Sequence, residues 1–140
     1  MQRMDYKMKA LIVEDELTSR IILQRILSPF GEVHLCYNGI EAIDAFCSML
    51  DQGAPYNLIC MDFMMPEIDG HAALTRIRAI EKERGISQGE RVKVIMTTGL
   101  SNIETEYVDI TSMCDAIILK PFRKDALLKV LHDLGFSKPG

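Results

Sequence analysis

Short runs rich in apolar residues alternate with longer amphipathic stretches along almost the whole chain. The short runs fall at 10–13, 33–37, 58–61, 92–96 and 116–119. Runs this short, apolar toward both faces, suit strands buried in a parallel sheet. Between them apolar residues recur at i, i+3 and i+4, the spacing of one helix face. The first helix shows Ile22, Leu23, Ile26 and Leu27 and stops near Pro29 and Gly31. The second shows Ile40, Ile43, Phe46, Cys47 and Leu50, and the third Leu74, Ile77 and Ile80. The fourth is weaker, with Ile103, Tyr107, Ile110 and Cys114, and the last shows Leu127, Leu128, Leu131 and Leu134. Five strands alternating with five helices predict an α/β fold. It is a (βα)5 doubly wound parallel sheet with right-handed crossovers.

Length and composition narrow the picture. The chain has 140 residues, 48% of them apolar, which suits one domain with a real core. The expected organisation is a tail over 1–8, one domain over 9–135 and a tail over 136–140. A formal charge of −4 argues against a nucleic-acid or anionic-membrane surface. No apolar stretch approaches the roughly 20 residues that span a bilayer, and the polar first nine residues lack a signal core. The expected location is the cytoplasm. Cys36, Cys47, Cys60 and Cys114 form no CxxC pair and sit in apolar runs, so they read as buried, reduced thiols. Residues 81–91 (EKERGISQGER) read as a solvated, charged helix end and loop.

The candidate chemistry lies at the strand ends, where open α/β sheets place their sites. The first strand ends in Glu14 and Asp15, the third in Asp62, the fourth in Thr98 and the fifth in Lys120. The second ends only in Tyr37, Asn38 and Gly39. Three converging carboxylates repel one another and raise at least one pKa unless a cation joins them. A magnesium ion resolves the conflict, because hard cations bind a few carboxylates and keep several waters. Lys120 adds positive charge and Thr98 a hydroxyl donor. Such a rim suits an incoming phosphoryl group, with one carboxylate as nucleophile. Each residue alone reads as a cap, a turn or a surface lysine. Their joint placement points to metal binding or phosphate handling.

Four stretches carry a family resemblance: KALIVEDE (9–16), ICMDFMMPEIDG (59–70), VIMTTG (94–99) and ILKPF (118–122). They resemble the motifs of response-regulator receiver domains in two-component signalling, single-domain chemotaxis regulators among them. The likeness covers about 9–134. It implies a flavodoxin-like sheet in the order 2-1-3-4-5. It implies that Asp62 accepts a phosphoryl group from a sensor histidine kinase or a histidine phosphotransfer protein. Asp15, Asp62 and the backbone carbonyl of Met64 would ligate Mg2+, with Glu14 acting through water. Lys120 would contact the phosphoryl group and Thr98 would be drawn toward it, with Gly99 filling the small position after Thr98. Pro66 and Gly70 would shape the loop after Asp62, Gly70 by a backbone conformation that larger residues resist. The Lys120–Pro121 bond would be cis. No enzymatic action beyond self-phosphotransfer and autodephosphorylation is implied.

Several positions depart from the pattern. Ile117 stands where receivers usually carry Tyr or Phe, so Tyr107 is the candidate substitute ring. Met113 stands where the fourth helix usually ends in Gly, which predicts an altered helix end. Met64 and Leu100, both apolar, flank the site and predict slow autodephosphorylation. An aspartate-nucleophile phosphatase would need a second Asp at Met64. An interaction module without chemistry would be expected to lack an acidic residue, Thr98 or Lys120. The chain reads as a stand-alone regulator or a piece of a longer protein, a monomer or weak dimer. The helix 4–strand 5–helix 5 face, near Tyr107, Arg123 and Lys124, is the expected output surface. His34, His71 and His132 read as uninvolved, and Met61, Met65 and Met96 as packing.

Overall fold

The computed structural model describes residues 8–65, 67–99 and 107–139, with 107–109 as backbone only. Pro66, Leu100, Ile103 and the ring of Tyr107 therefore lie outside the described residues. The strands are β1 (Met8–Val13), β2 (Gly31–Cys36), β3 (Leu58–Asp62), β4 (Lys93–Thr98) and β5 (Ala116–Leu119). The helices are α1 (Leu17–Leu27), α2 (Gly39–Asp51), α3 (Gly70–Glu83), α4 (Tyr107–Met113) and α5 (Lys124–Asp133). A single turn of tighter helix over Ser28–Phe30 follows α1, where Pro29 ends the regular helix.

All strand pairs are parallel, in the order β2-β1-β3-β4-β5. This is the predicted order. Alternate residues of each strand feed two cores. Leu11, Val13, Ile59, Met61, Val94 and Met96 pack against α2, α3 and α4 through Phe46, Leu74, Ile77 and Ile110. Ala10, Ile12, Leu58, Cys60, Ile95 and Ile118 pack against α1 and α5 through Leu23, Leu27, Leu127 and Leu131. Each fully buried Leu, Ile, Val, Phe or Met among them is worth about 1.5–3 kcal/mol. Phe136 packs on the second core beyond the end of α5. Cys36, Cys60 and Cys114 are buried free thiols, and burial pushes Cys36 and Cys60 up to about 12. Among the described residues, no helix is long and apolar enough to cross a membrane.

Side-chain caps fix where the helices begin, and so where the rim loops end. The Glu16 carboxylate accepts from the backbone N–H groups of Thr18 and Ser19 at 3.0 and 2.9 Å. Asn38 caps α2 through Glu41 N–H at 2.8 Å, and Asp69 caps α3 through Ala72 N–H at 2.9 Å. Each cap satisfies a donor that the first helical turn leaves unpaired.

The end of α4, where Met113 stands, is closed by a side chain from α3. Among the described non-glycine residues only Glu67 has a positive φ, 69°. Met113 therefore takes no left-handed cap. Instead Arg78 Nε donates to the Met113 carbonyl at 2.9 Å. Arg78 Nη1 donates to Glu81 Oε1 at 2.8 Å and to the Val92 carbonyl at 2.9 Å. Glu81 Oε2 accepts from Val92 N–H at 2.8 Å. The expectation of a solvated 81–91 link is thus wrong at its first residue. Glu81 is buried, because it closes a charge network between α3 and the start of β4.

Candidate functional site

The strand alternation places four rim residues on one side of the sheet. Cys60 and Ile95 are register partners, and both face α1 and α5. Two residues on, Asp62 and Thr97 are register partners in the same phase. Glu14 follows Val13, which faces the other core, and Lys120 follows Ile118 by two. Glu14, Asp62, Thr97 and Lys120 therefore form a row over the α1 and α5 side. Thr98 is one step out of phase, buried, and its hydroxyl donates to the Gly99 carbonyl at 3.0 Å.

Within this row, Lys120 Nζ lies 3.0 Å from Glu14 Oε1 and 3.2 Å from Asp62 Oδ2. The contact to Glu14 is an ion pair by distance, but its direction leaves Oε1 without a hydrogen bond. The other Glu14 oxygen accepts from Glu16 N–H at 3.1 Å. Asp62 Oδ1 accepts from Met64 N–H at 3.2 Å. Met64 itself is 51% exposed at the rim.

Burial dominates the electrostatics of Glu14, which is 0% exposed. Together with the nearby Asp62 charge it pushes the Glu14 carboxyl up to about 7, despite Lys120. Burial also acts against the Lys120 ammonium, but the paired Glu14 and Asp62 carboxylates outweigh it and hold its pKa above the ordinary lysine value. The site thus has one carboxylate more than its lysine can neutralise.

That surplus fits a divalent cation. Glu14, Asp15 and Asp62 each offer a carboxylate oxygen, and these atoms all lie within 4.8 Å of one another. Asp15 is exposed, so the cluster opens to solvent. The donors are all oxygen, and Glu14 Oε1 has no hydrogen-bond partner among the described residues. This is the donor set that hard cations take.

Gly70 holds the loop against the site, for a reason other than the expected one. Its φ is not positive, so conformational freedom is not what the position needs. A Cβ there would stand 2.4 Å from the Asp62 carbonyl oxygen and 2.9 Å from Phe63 Cα. Glycine is required for close approach, and Gly70 N–H donates to the Phe63 carbonyl at 2.9 Å. Lys120–Pro121 is cis. It follows β5 directly, and Lys120 N–H donates to the Thr98 carbonyl at 2.8 Å.

Thr97 is the rim residue that sequence reading left aside. Its register with Asp62 becomes visible only once the β3–β4 pairing is known. Ile117 packs with Met113 against the α3 side of the core, an aliphatic filling for an aromatic position. His34 lies away from the rim, between Tyr56 OH at 2.7 Å and Glu32 Oε2 at 2.5 Å. His71 stands in the first turn of α3.

An acidic rim at the carboxyl ends of a 2-1-3-4-5 sheet, with one lysine reaching across it, defines a receiver-type α/β protein. The chain belongs to the response regulator receiver domain family, whose profile matches residues 10–132. Two-component response regulator 24 of Arabidopsis thaliana is 32% identical over 138 residues, covering 93% of this chain and 86% of that protein. Probable histidine kinase 2 of Oryza sativa subsp. japonica is 30% identical, but the chain spans only 12% of its length. Two solved structures are similar at the level of fold and sequence. The Saccharomyces cerevisiae Ssk1 receiver domain, crystallised with the histidine phosphotransfer protein Ypd1, has a TM-score of 0.72 and 27% identity. The match covers 89% of this chain and 87% of that one. The receiver domain of histidine kinase CKI1 from Arabidopsis thaliana, complexed with Mg2+ and BeF3−, has a TM-score of 0.71 and 28% identity. It covers 89% of this chain and 90% of that one.

Proposed function

We propose that Asp62 accepts a phosphoryl group from a phosphohistidine and that its phosphorylation switches partner binding in a two-component pathway. The observation that carries this is the reach of Lys120 from β5 to Asp62 and Glu14. One carboxylate at the strand end thus has a cation on one side and spare anionic oxygens on the other. An Asp62 oxygen attacks phosphorus as the phosphorus–nitrogen bond of the donor breaks. The imidazole leaves with the bonding pair and is protonated, and the phosphoryl group remains on Asp62.

In this reading Asp15 and Asp62 would hold Mg2+ with the Met64 carbonyl, and Glu14 would act through water. The ion would supply charge neutralisation for the phosphoryl oxygens. Lys120 contacts the same oxygens, and Thr98 turns toward them. The protein is a switch and not a catalyst acting on an external substrate.

The donor is a sensor histidine kinase or a histidine phosphotransfer protein, the class of partner in the Ssk1 complex. Leu17, Tyr37, Ile40 and Met64 are exposed in the loops and first helical turns that follow β1, β2 and β3 at the rim end of the sheet, which suits an apolar partner face. The output side is assigned to α4, β5 and α5, where Leu119 is exposed on the edge strand. Free buried thiols suit the cytoplasm.

The test is incubation with acetyl phosphate and Mg2+, comparing wild type with Asp62→Asn. The wild type should take an acid-stable, alkali-labile label, and the variant none. Equal labelling of both would remove Asp62 from the reaction.

A further inference from the structure

Thr97 is 0% exposed, and its hydroxyl has no hydrogen-bond partner among the described residues. A buried hydroxyl without a partner is unfavourable compared with a methyl group of the same shape. Most buried polar side chains are paired, so an orphan invites a functional reading. Here its place is informative. Thr97 is the register partner of Asp62 on one side and of Ile118 on the other. It lies in the row of Glu14, Asp62 and Lys120, on the strand between β3 and β5.

Lys120 begins beyond the end of β5 and reaches Asp62 on β3 and Glu14 beyond β1. Its side chain must therefore cross the end of β4 on the face where Thr97 stands. The ammonium carries three protons. Glu14 and Asp62 engage it at 3.0 and 3.2 Å. When Asp62 becomes an acyl phosphate, it loses its full charge as a partner. The new phosphoryl oxygens draw the ammonium away from Glu14. A proton then turns toward the interior, where the Thr97 oxygen is available to accept it.

We propose that Thr97 is a positioning residue for Lys120, accepting a hydrogen bond from its ammonium when Asp62 is phosphorylated. This rests on the phosphoacceptor reading of Asp62. It gives the hydroxyl a partner in one state of the switch and none in the other. Threonine is therefore held at a position where valine would serve the unphosphorylated fold at least as well.

The test pairs Thr97→Val with Thr97→Ser. Two quantities are read: Tm of the unphosphorylated protein, and the acetyl phosphate labelling rate. Thr97→Val should keep or raise Tm, because it removes an unpaired buried hydroxyl. It should slow labelling by about tenfold, the scale of one hydrogen bond to a charged group. Thr97→Ser should restore most of the labelling rate while lowering Tm, since it keeps the hydroxyl and loses a buried methyl. A merely structural residue would move rate and Tm together. A labelled wild type with Thr97→Val labelled at the same rate overturns the role of Thr97 alone. So does a Thr97→Val protein whose Tm falls along with its rate. A wild type that takes no label overturns the reading of Asp62 as well.

Discussion

The Nε of Arg78 donates to the carbonyl oxygen of Met113 across 2.9 Å, so a side chain of α3 closes the last turn of α4. The same guanidinium meets Glu81 at 2.8 Å and Asp115 at 3.4 Å. Its side chain is only 10% exposed and that of Glu81 5%. Removing one member of such a pair strands a buried charge. Arg78→Met should lower stability by about 3–5 kcal/mol, a fall in Tm of roughly 10 °C or more. Chemical denaturation with fluorescence or circular dichroism measures it. A loss below about 1 kcal/mol would mean the network is no more than a surface pair.

Gly70 makes a second, sharper contrast. Gly70→Ala puts a methyl 2.4 Å from the Asp62 backbone carbonyl, which must shift. A loss of about 1–3 kcal/mol is expected, together with weaker Mg2+ binding at the displaced carboxylate. Gly99→Ala is the control, since no atom of the described residues stands within 4 Å of a Cβ there. It should stay within about 0.5 kcal/mol of wild type. Equal effects at both positions would contradict the close-approach argument.

The α1 cap carries a pH dependence of known sign. The hydrogen bonds from Ser19 hold Glu16 down at about 2, against an ordinary 4.5. A depressed carboxylate stabilises the fold above its unfolded pKa and loses that contribution as pH falls through its folded one. The stability advantage of wild type over Glu16→Ala should be complete above pH 4.5 and fade toward pH 2. An advantage that is flat across this window, measured by denaturation at each pH, would assign it to helix propensity instead.

Met64 should govern how long the label lasts. It is the exposed apolar residue whose N–H bonds to Asp62, and it offers water no hydrogen bond. Met64→Asn supplies one beside the acyl phosphate, so the label half-life should shorten several-fold at unchanged Tm. A half-life equal to wild type would show that water reaches phosphorus from another side.

Much of this was readable from the residues. Parallel strands bury both faces, so their apolar runs announce them, and the strand ends carry Glu14, Asp15, Asp62 and Lys120 in plain sight. The strand order came from resemblance, because periodicity cannot rank neighbours. What stayed hidden depends on register and long-range pairing. Glu81 reads as a solvated charge until Arg78 and Val92 N–H are found around it. Gly70 reads as a turn glycine until the Asp62 carbonyl is seen pressing on it. The sequence favours Thr98 because Gly99 follows it, and the place of Thr97 beside Asp62 shows only once β3 pairs with β4.

The central claim is that the phosphoryl group sits on Asp62. Borohydride reduction converts an aspartyl phosphate to homoserine at the labelled position. After labelling with acetyl phosphate and Mg2+, peptide mass mapping should find homoserine at position 62 and unmodified Asp15. Homoserine at another position, or none in a protein that carries label, would contradict the account.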